Sequence, residues 1–345
     1  MALLEGFTVL DLSAVGPGSR CTWLLADLGA RVIKVAAPES QGRLEPPFHS
    51  YGAGRGTEKV RIDLKSDEGR EMFLGLAATS DAVVESYRPG VAERLGIGYE
   101  AVRARNPRIV YAAVTGYGQD GPSAAWAGHD LNYLGVGGFL ACQSPRSDGG
   151  PALPGATVAD SAGGGMQAAI SILAALLRRE RTGEGAYLDV STTEGVLYLM
   201  ALQIDQHLAT GEKAGPGTTL LTGRYACYDV YECRDGKWLS VGAIEGVFFS
   251  NLCRSLELDQ YAHHQFEDKL QDEIRAAFRA VFTERDRDDW VAELAPLDTC
   301  VAPVLAVDEV TSHPQLVARG VLAEAEDPEH GRFKQLGPLV AGSDK

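Results

Sequence analysis

The segment from residue 7 to residue 35 constrains the fold most strongly. Phe7-Thr8-Val9-Leu10-Asp11-Leu12-Ser13 reads as a strand, Gly16-Pro17-Gly18 as a turn, the run to Leu28 as a helix, and residues 31–35 as a second apolar strand. A helix between two such strands is the unit that lays strands side by side in parallel. Further strands are expected at 60–64, 82–85 and 108–114, with helices between them. The expected fold is therefore α/β, a parallel sheet covered by helices. Gly16-Pro17-Gly18 lacks the spacing of a dinucleotide fingerprint, which argues against NAD.

From Asp160 a helix is expected to run to about Arg181, where Thr182-Gly183-Glu184-Gly185 stops it, glycine being the residue that takes a left-handed cap. A strand at 186–190 and a helix at about 193–209 follow, and then a polar, glycine-rich linker at 211–224. Beyond it, 225–232 and 238–243 flank Asp235-Gly236, a hairpin signal, before helices that continue to about 294. The chain of 345 residues, 45% hydrophobic, is long enough for a large domain at 1–210 and a smaller α+β domain at 225–303.

No apolar run approaches the eighteen or so residues of a membrane span, and the N-terminal segment has no signal-peptide core, so the expectation is a cytoplasmic protein without a membrane partner. Six cysteines are scattered without a Cys-x-x-Cys pair, against both zinc and a disulfide framework. A formal charge of −15 disfavours nucleic acid, which is bound by clustered Lys and Arg. An anionic ligand held by a local basic patch is still compatible with it.

Three segments carry residue types suited to proton transfer. Trp126-Ala127-Gly128-His129-Asp130-Leu131-Asn132-Tyr133-Leu134 sets an imidazole beside a carboxylate at a helix start. Val158-Ala159-Asp160-Ser161-Ala162-Gly163-Gly164-Gly165 opens a long helix with an acid, and Val241-Gly242-Ala243-Ile244-Glu245 ends a strand with one. Each has an ordinary reading. A lone His is more often a hydrogen-bonded structural imidazole, Asp130 and Asp160 suit helix caps, and Glu245 suits a solvated strand end. A carboxylate at a helix start is also electrostatically favoured, and the three glycines would let a ligand approach closely.

The chain resembles the α-methylacyl-CoA racemases of the family III CoA-transferase superfamily. Besides those three segments, the resemblance rests on Leu25-Ala26-Asp27-Leu28-Gly29-Ala30-Arg31-Val32-Ile33-Lys34-Val35, Ile62-Asp63-Leu64-Lys65, Tyr87-Arg88-Pro89-Gly90-Val91-Ala92-Glu93-Arg94-Leu95-Gly96, Asn106-Pro107-Arg108-Ile109-Val110-Tyr111, Gly116-Tyr117-Gly118-Gln119-Asp120-Gly121 and Cys300-Val301-Ala302-Pro303-Val304-Leu305. It implies a Rossmann-like large domain, a small domain, a C-terminal return to the large domain over 304–345, and an interlocked homodimer. It implies an enzyme that racemises 2-methyl-branched acyl thioesters through an enolate, without a metal or redox cofactor, CoA being part of the substrate. His129 and Asp160 would be the opposed acid and base, and Glu245, from the other subunit, would orient His129. The backbone N–H of Asp130 would face the thioester oxygen, within a block in which Gly128, Leu131, Asn132 and Tyr133 contact substrate. Lys65, Arg88 and Arg94 would bind CoA, Ile62, Asp63 and Leu64 would border its adenosine end, and Tyr228 would be a pocket aromatic.

Three departures bear on the CoA handle. Ala36-Ala37-Pro38 stands where the family has an acid and a basic residue before Pro, Thr57-Glu58 replaces a basic pair, and Ala156 takes the place of an Asn. These suggest weaker CoA affinity, or a pantetheine or carrier-protein donor, unless Arg43 or Arg55 supplies the missing cation. Two other functions fit the same residues: a CoA-transferase with Asp160 as nucleophile forming an acyl anhydride, and a non-catalytic acyl-CoA binder.

Overall fold

The computed structural model describes residues 2–38, 48–50 and 54–343; Arg43 lies outside them. Two compact units emerge, one of 1–139, 153–204 and 317–345, the other of 140–152 and 205–316. The division falls a few residues before the polar stretch at 211–224, and the second unit also takes in the turn-rich stretch at 140–152.

In the first unit β1 (Thr8–Asp11), β2 (Arg31–Ala36), β3 (Thr57–Arg61), β4 (Ala82–Glu85), β5 (Val110–Thr115) and β6 (Ala186–Ser191) form one sheet in the order β3-β2-β1-β4-β5-β6. Every pairing is parallel. Alternate residues enter opposite cores. Val9, Val32, Val84 and Ala112 pack under α1 (Pro17–Asp27) and α6 (Gln167–Thr182), whereas Leu10, Ile33, Val83 and Tyr111 pack with Phe73 and Leu74 of α2 (Asp67–Ala77). Burial on both faces explains why these strands read as apolar runs. The short helices α3 (Val91–Arg94) and α4 (Tyr99–Arg105) complete the second face, and α5 (Asp130–Val136) follows β5.

Two elements depart furthest from the sequence reading. The strand expected at 60–64 is β3 at Thr57–Arg61, so Ile62, Asp63 and Leu64 lie just past it. The register Val32↔Thr57 through Ala36↔Arg61 fixes this, since charged residues are tolerated on an edge strand whose partner supplies the burial. The helix expected at 193–209 is two, α7 (Thr192–Leu199) and α8 (Ala201–Thr210), parted at Met200. Gly183 does end α6 in the left-handed conformation, φ 77°, donating its N–H to the Arg179 carbonyl at 2.8 Å.

The second unit is built on the antiparallel sheet of β7 (Tyr228–Glu232), β8 (Trp238–Gly242) and β9 (Val301–Pro303). Asp235-Gly236 forms the β7–β8 turn, Gly236 having φ 73°. The helices α9 (Gly246–Ser255), α10 (Gln271–Phe282) and α11 (Arg287–Leu294) close over it around Tyr231, Phe249, Phe278 and Trp290. The last segment of the first unit is the hairpin of β10 (Leu322–Asp327) and β11 (Gly331–Leu336). Among the described residues no helix is long and apolar enough to cross a membrane.

Candidate active site

The strand order places the chain's reversal between β1 and β4, because β2 and β3 extend the sheet one way and β5 and β6 the other. Open parallel sheets bind ligands in the crevice beyond the carboxyl ends of the strands at that point. A cleft of about 470 Å³ lies there, lined by Gly16 and Pro17 after β1, by Ser86, Tyr87 and Arg88 after β4, and by Gly116 after β5. Trp126, Gly128, His129, Asn132, Tyr133 and Asp160 form the rest of its wall.

His129 is the N-cap of α5 in an extended conformation, φ −132°. Its backbone N–H donates to Asn132 Oδ1 at 3.0 Å, and its carbonyl accepts from the Asn132 N–H at 2.8 Å. The helix start is thus closed by Asn132 and the backbone, leaving the His129 side chain exposed on the cleft. Tyr133 is buried beneath it, with its hydroxyl donating to the Gly128 carbonyl at 2.6 Å. Burial, and then the charge of Asp160, push the Tyr133 phenol up to about 12, so it stays a neutral donor.

Asp160 enters the cleft from a π-helical segment, Ala159–Met166, that runs into α6. Val158, not Asp160, is its N-cap, and Asp160 stands in its first turn. The reason is a tertiary contact: the backbone N–H of Asp160 donates to Asp130 Oδ1 at 2.9 Å. Asp130 therefore does not cap α5 either; its carboxylate reaches across to the other element. The Asp160 carboxyl is half-buried, and its Oδ1 is buried without a hydrogen-bond partner among the described residues. Burial, followed by the Asp130 charge, raises it to about 6, opposed by Arg20 and His129. That places a carboxyl group where proton exchange near neutral pH is efficient.

The three glycines after Asp160 serve packing, in place of the close ligand approach expected for them. A Cβ on Gly163 would meet the Thr192 carbonyl oxygen at 2.8 Å, one on Gly164 Pro17 Cβ at 2.4 Å, and one on Gly165 Arg20 Cβ at 2.6 Å. They let the π-helical turn press between α1 and α7, which carries Asp160 to the end of β1.

The other candidate residues divide. Arg88 lines the cleft, and the guanidinium of Arg94, the last residue of α3, lies beside Gly90, both side chains exposed. Leu131 is 43% exposed on α5. Ile62 is buried, its N–H donating to the Ala36 carbonyl at 2.8 Å, while exposed Asp63 accepts the Lys65 N–H at 3.1 Å. These four residues, Ile62 to Lys65, lie at the β3 edge and do not line the cleft. Arg55 forms a paired contact with Asp27 at 2.9 and 2.8 Å, donates to the carbonyls of Leu336 and Gly337, and lies over the Trp23 ring. Arg55 is thereby held within the fold by contacts of its own. Arg61 donates to the Ala37 and Pro38 carbonyls.

Glu245 and Tyr228 belong to the second unit. The strand β8 ends at Gly242, and Glu245 is the exposed N-cap of α9, held by Gln265, whose amide donates to the carbonyls of Ala243 and Ile244 at 2.9 and 2.6 Å. Tyr228 opens β7 opposite Gly242.

Sequence reasoning passed over Tyr117, Trp126, Arg20 and Glu85. Tyr117 and Trp126 meet edge to face at 5.9 Å near the cleft mouth, and an aromatic in a glycine-bracketed loop was the available signal. Arg20 is a basic residue in the first turn of α1, where the helix field favours acids, and its Nη2 donates to Thr157 Oγ1 at 3.1 Å. Glu85 ends β4 under the cleft lip, fully enclosed, accepting the Tyr87 N–H at 2.6 Å; burial pushes it up to about 8. Among the described residues no group of three or more His, Cys, Asp or Glu is placed to hold a metal ion.

Comparison with known proteins places this architecture. The family model described as CoA-transferase family III matches residues 4–345. The alpha-methylacyl-CoA racemase of Homo sapiens is 36% identical over 329 residues, covering 94% of this chain and 84% of that one. The succinyl-CoA:glutarate CoA-transferase of Mus musculus is 29% identical, covering 99% of this chain and 80% of its own length. Among solved structures, a CAIB/BAIF family protein from Brucella suis superposes with a TM-score of 0.79 at 29% identity, over 97% of this chain and 91% of that one. The fold, the crevice at the strand reversal and these relatives agree: the chain belongs to CoA-transferase family III.

Proposed function

We propose that the protein is a racemase or epimerase of 2-methyl-branched acyl-CoA or related thioesters, working by proton transfer through an enolate. The observation that carries the reading is the pairing, on one cleft, of the exposed His129 side chain with an Asp160 carboxyl raised to about 6. The alpha-methylacyl-CoA racemase relatives support it. One of the two groups takes the α proton, the electron pair moves onto the thioester oxygen, and the other returns a proton to the opposite face. The two swap roles for the other enantiomer. In this reading the Asp130 backbone N–H donates to the enolate oxygen, and such a donor is worth roughly 2.7–4 kcal/mol.

The working form would be a homodimer in which Glu245 of the partner subunit orients His129. Exposed apolar side chains on the first unit, Ile170 at 67%, Leu177 at 68% and Tyr198 at 84%, favour a covered face. Mixing inactive His129→Ala and Glu245→Gln proteins under subunit exchange should restore activity by forming some intact sites. Proven exchange without recovery would discard the shared site.

The deciding experiment is incubation of one enantiomer of a 2-methylacyl-CoA in D₂O. Deuterium at the α carbon with loss of chirality is the expected result. The rival CoA-transferase reading is favoured by Asp160 Oδ1, an oxygen without a hydrogen-bond partner among the described residues, and by the CoA-transferase relatives. It requires acyl movement between CoA and a free acid, with an Asp160 adduct trapped by hydroxylamine and no exchange at the α carbon.

A further inference from the structure

We propose that Asp130 is a positioning residue for Asp160, tying the start of α5 to the π-helical turn through its carboxylate, with Arg20 of α1 as the balancing cation. The inference rests on the reading of Asp160 as a proton-transfer group. Asp130 and Asp160 are thirty positions apart, yet the 2.9 Å hydrogen bond from the Asp160 N–H to Asp130 Oδ1 joins the element bearing His129 to the element bearing the acid. First-turn N–H groups have no partner inside their own helix, so an outside acceptor fixes that turn. A carboxylate is the strongest acceptor available for the task, but it also brings a second negative charge to the Asp160 side chain.

Arg20 answers from the other side. Its Cβ and the Asp160 carbonyl oxygen both stand within 3.0 Å of where a Gly165 Cβ would be, and its Nη2 holds Thr157 Oγ1, three residues before Asp160. Asp160 Oδ2 lies toward Gly16 at the head of the same helix, 3.6 Å from the position of an absent Cβ. The ionisable groups facing Asp160 are thus Asp130, His129 and Tyr133 from α5 and Arg20 from α1. Asp130 favours the protonated acid, and Arg20 favours the carboxylate. A group that must give and take a proton in one catalytic cycle is best poised between these, and the pair sets that poise in opposite senses.

The opposite senses make the test sharp. The Asp160 titration is followed by ¹³C-carboxyl NMR of aspartate-labelled protein, its signal assigned by loss in Asp160→Asn, with no reliance on activity. Asp130→Asn keeps an acceptor oxygen for the Asp160 N–H but removes the charge, so the titration should move down from about 6. Arg20→Gln should move it up, each by on the order of one unit, and Arg20→Lys should return it toward the parent value. Asp130→Ala, which removes the tie as well, should lose roughly tenfold more kcat than Asp130→Asn at its optimal pH, with KM little changed. A titration that stays put in Asp130→Asn, or moves the same way in Asp130→Asn and Arg20→Gln, overturns the proposal. Equal kcat in the two Asp130 variants overturns the tie. Titrations that move as expected while the pH–rate profile does not follow would uphold the positioning and remove Asp160 from the chemistry.

Discussion

Two regions of the same sheet, on either side of β1, treat their charges in opposite ways. On and around β2 and β3, the ions have partners: Arg31 pairs with Glu58, Arg55 with Asp27, Lys34 with buried Asp11, and Arg61 with the carbonyls of Ala37 and Pro38. Beyond β4 and β5 the acids are left in conflict. Asp160 has a buried oxygen without a partner among the described residues and Asp130 for a neighbour, and Glu85 is enclosed with a backbone N–H as its hydrogen-bond donor. Satisfied pairs hold a structure still, whereas acids pushed toward neutral pH by burial and like charge are the parts from which proton transfer is built.

The contrast can be broken most visibly at Asp160 and His129. Asp160→Asn and His129→Ala should each reduce racemisation by at least roughly 10²–10⁴-fold while leaving folding intact, as read by chiral analysis and thermal melting. Near-parental rates from either variant would remove that residue from the chemistry. On the satisfied edge the outcome should invert. Arg55→Ala leaves Asp27 enclosed without its cation and should cost about 3 kcal/mol of stability in denaturant titration. Its kcat should be unchanged, and a selective loss of CoA binding would instead give Arg55 a role at the nucleotide.

Glu85 sharpens the comparison through pH. Its folded pKa of about 8 lies above the ordinary 4.5, so the stability it contributes is full below 4.5 and is lost as pH rises through 8. Glu85→Gln should therefore melt on the order of a few degrees above the parent at pH 8 and level with it at pH 4. The opposite ordering at pH 8 would mean that the ionised carboxylate is stabilised where it stands. The smallest effect is expected at the handle. If the Ala36-Ala37 edge has given up its nucleotide contacts, pantetheine and CoA thioesters of one acid should have similar KM values. Ala37→Arg should then lower KM for CoA alone by about two- to fivefold, the range of an exposed ion pair. A strong CoA preference indifferent to Ala37→Arg would assign the handle to other cations.

The strands, the α6 stop at Gly183, the Asp235-Gly236 turn and the helix beginning after His129 were legible because each is written in a few adjacent residues. Apolar runs need burial on both faces, a left-handed cap favours glycine, and a helix start shows itself by its cap. Family resemblance added candidate chemical residues by position, whereas the end of β3 at Arg61 is not legible locally, because that strand takes its register from β2 and not from its own apolar residues. What the chain alone determined, then, was a parallel sheet covered by helices, a second unit around a hairpin, and a short set of candidate acids and one imidazole. Tertiary structure alone decided the strand order, and with it the crevice at β1 and β4. It also decided that Arg55 is held by Asp27, that the glycines after Asp160 pack against α1 and α7, and that Asp130 holds the Asp160 backbone. These are contacts between residues far apart in sequence, and no local propensity encodes which distant partner satisfies a buried charge or a free N–H.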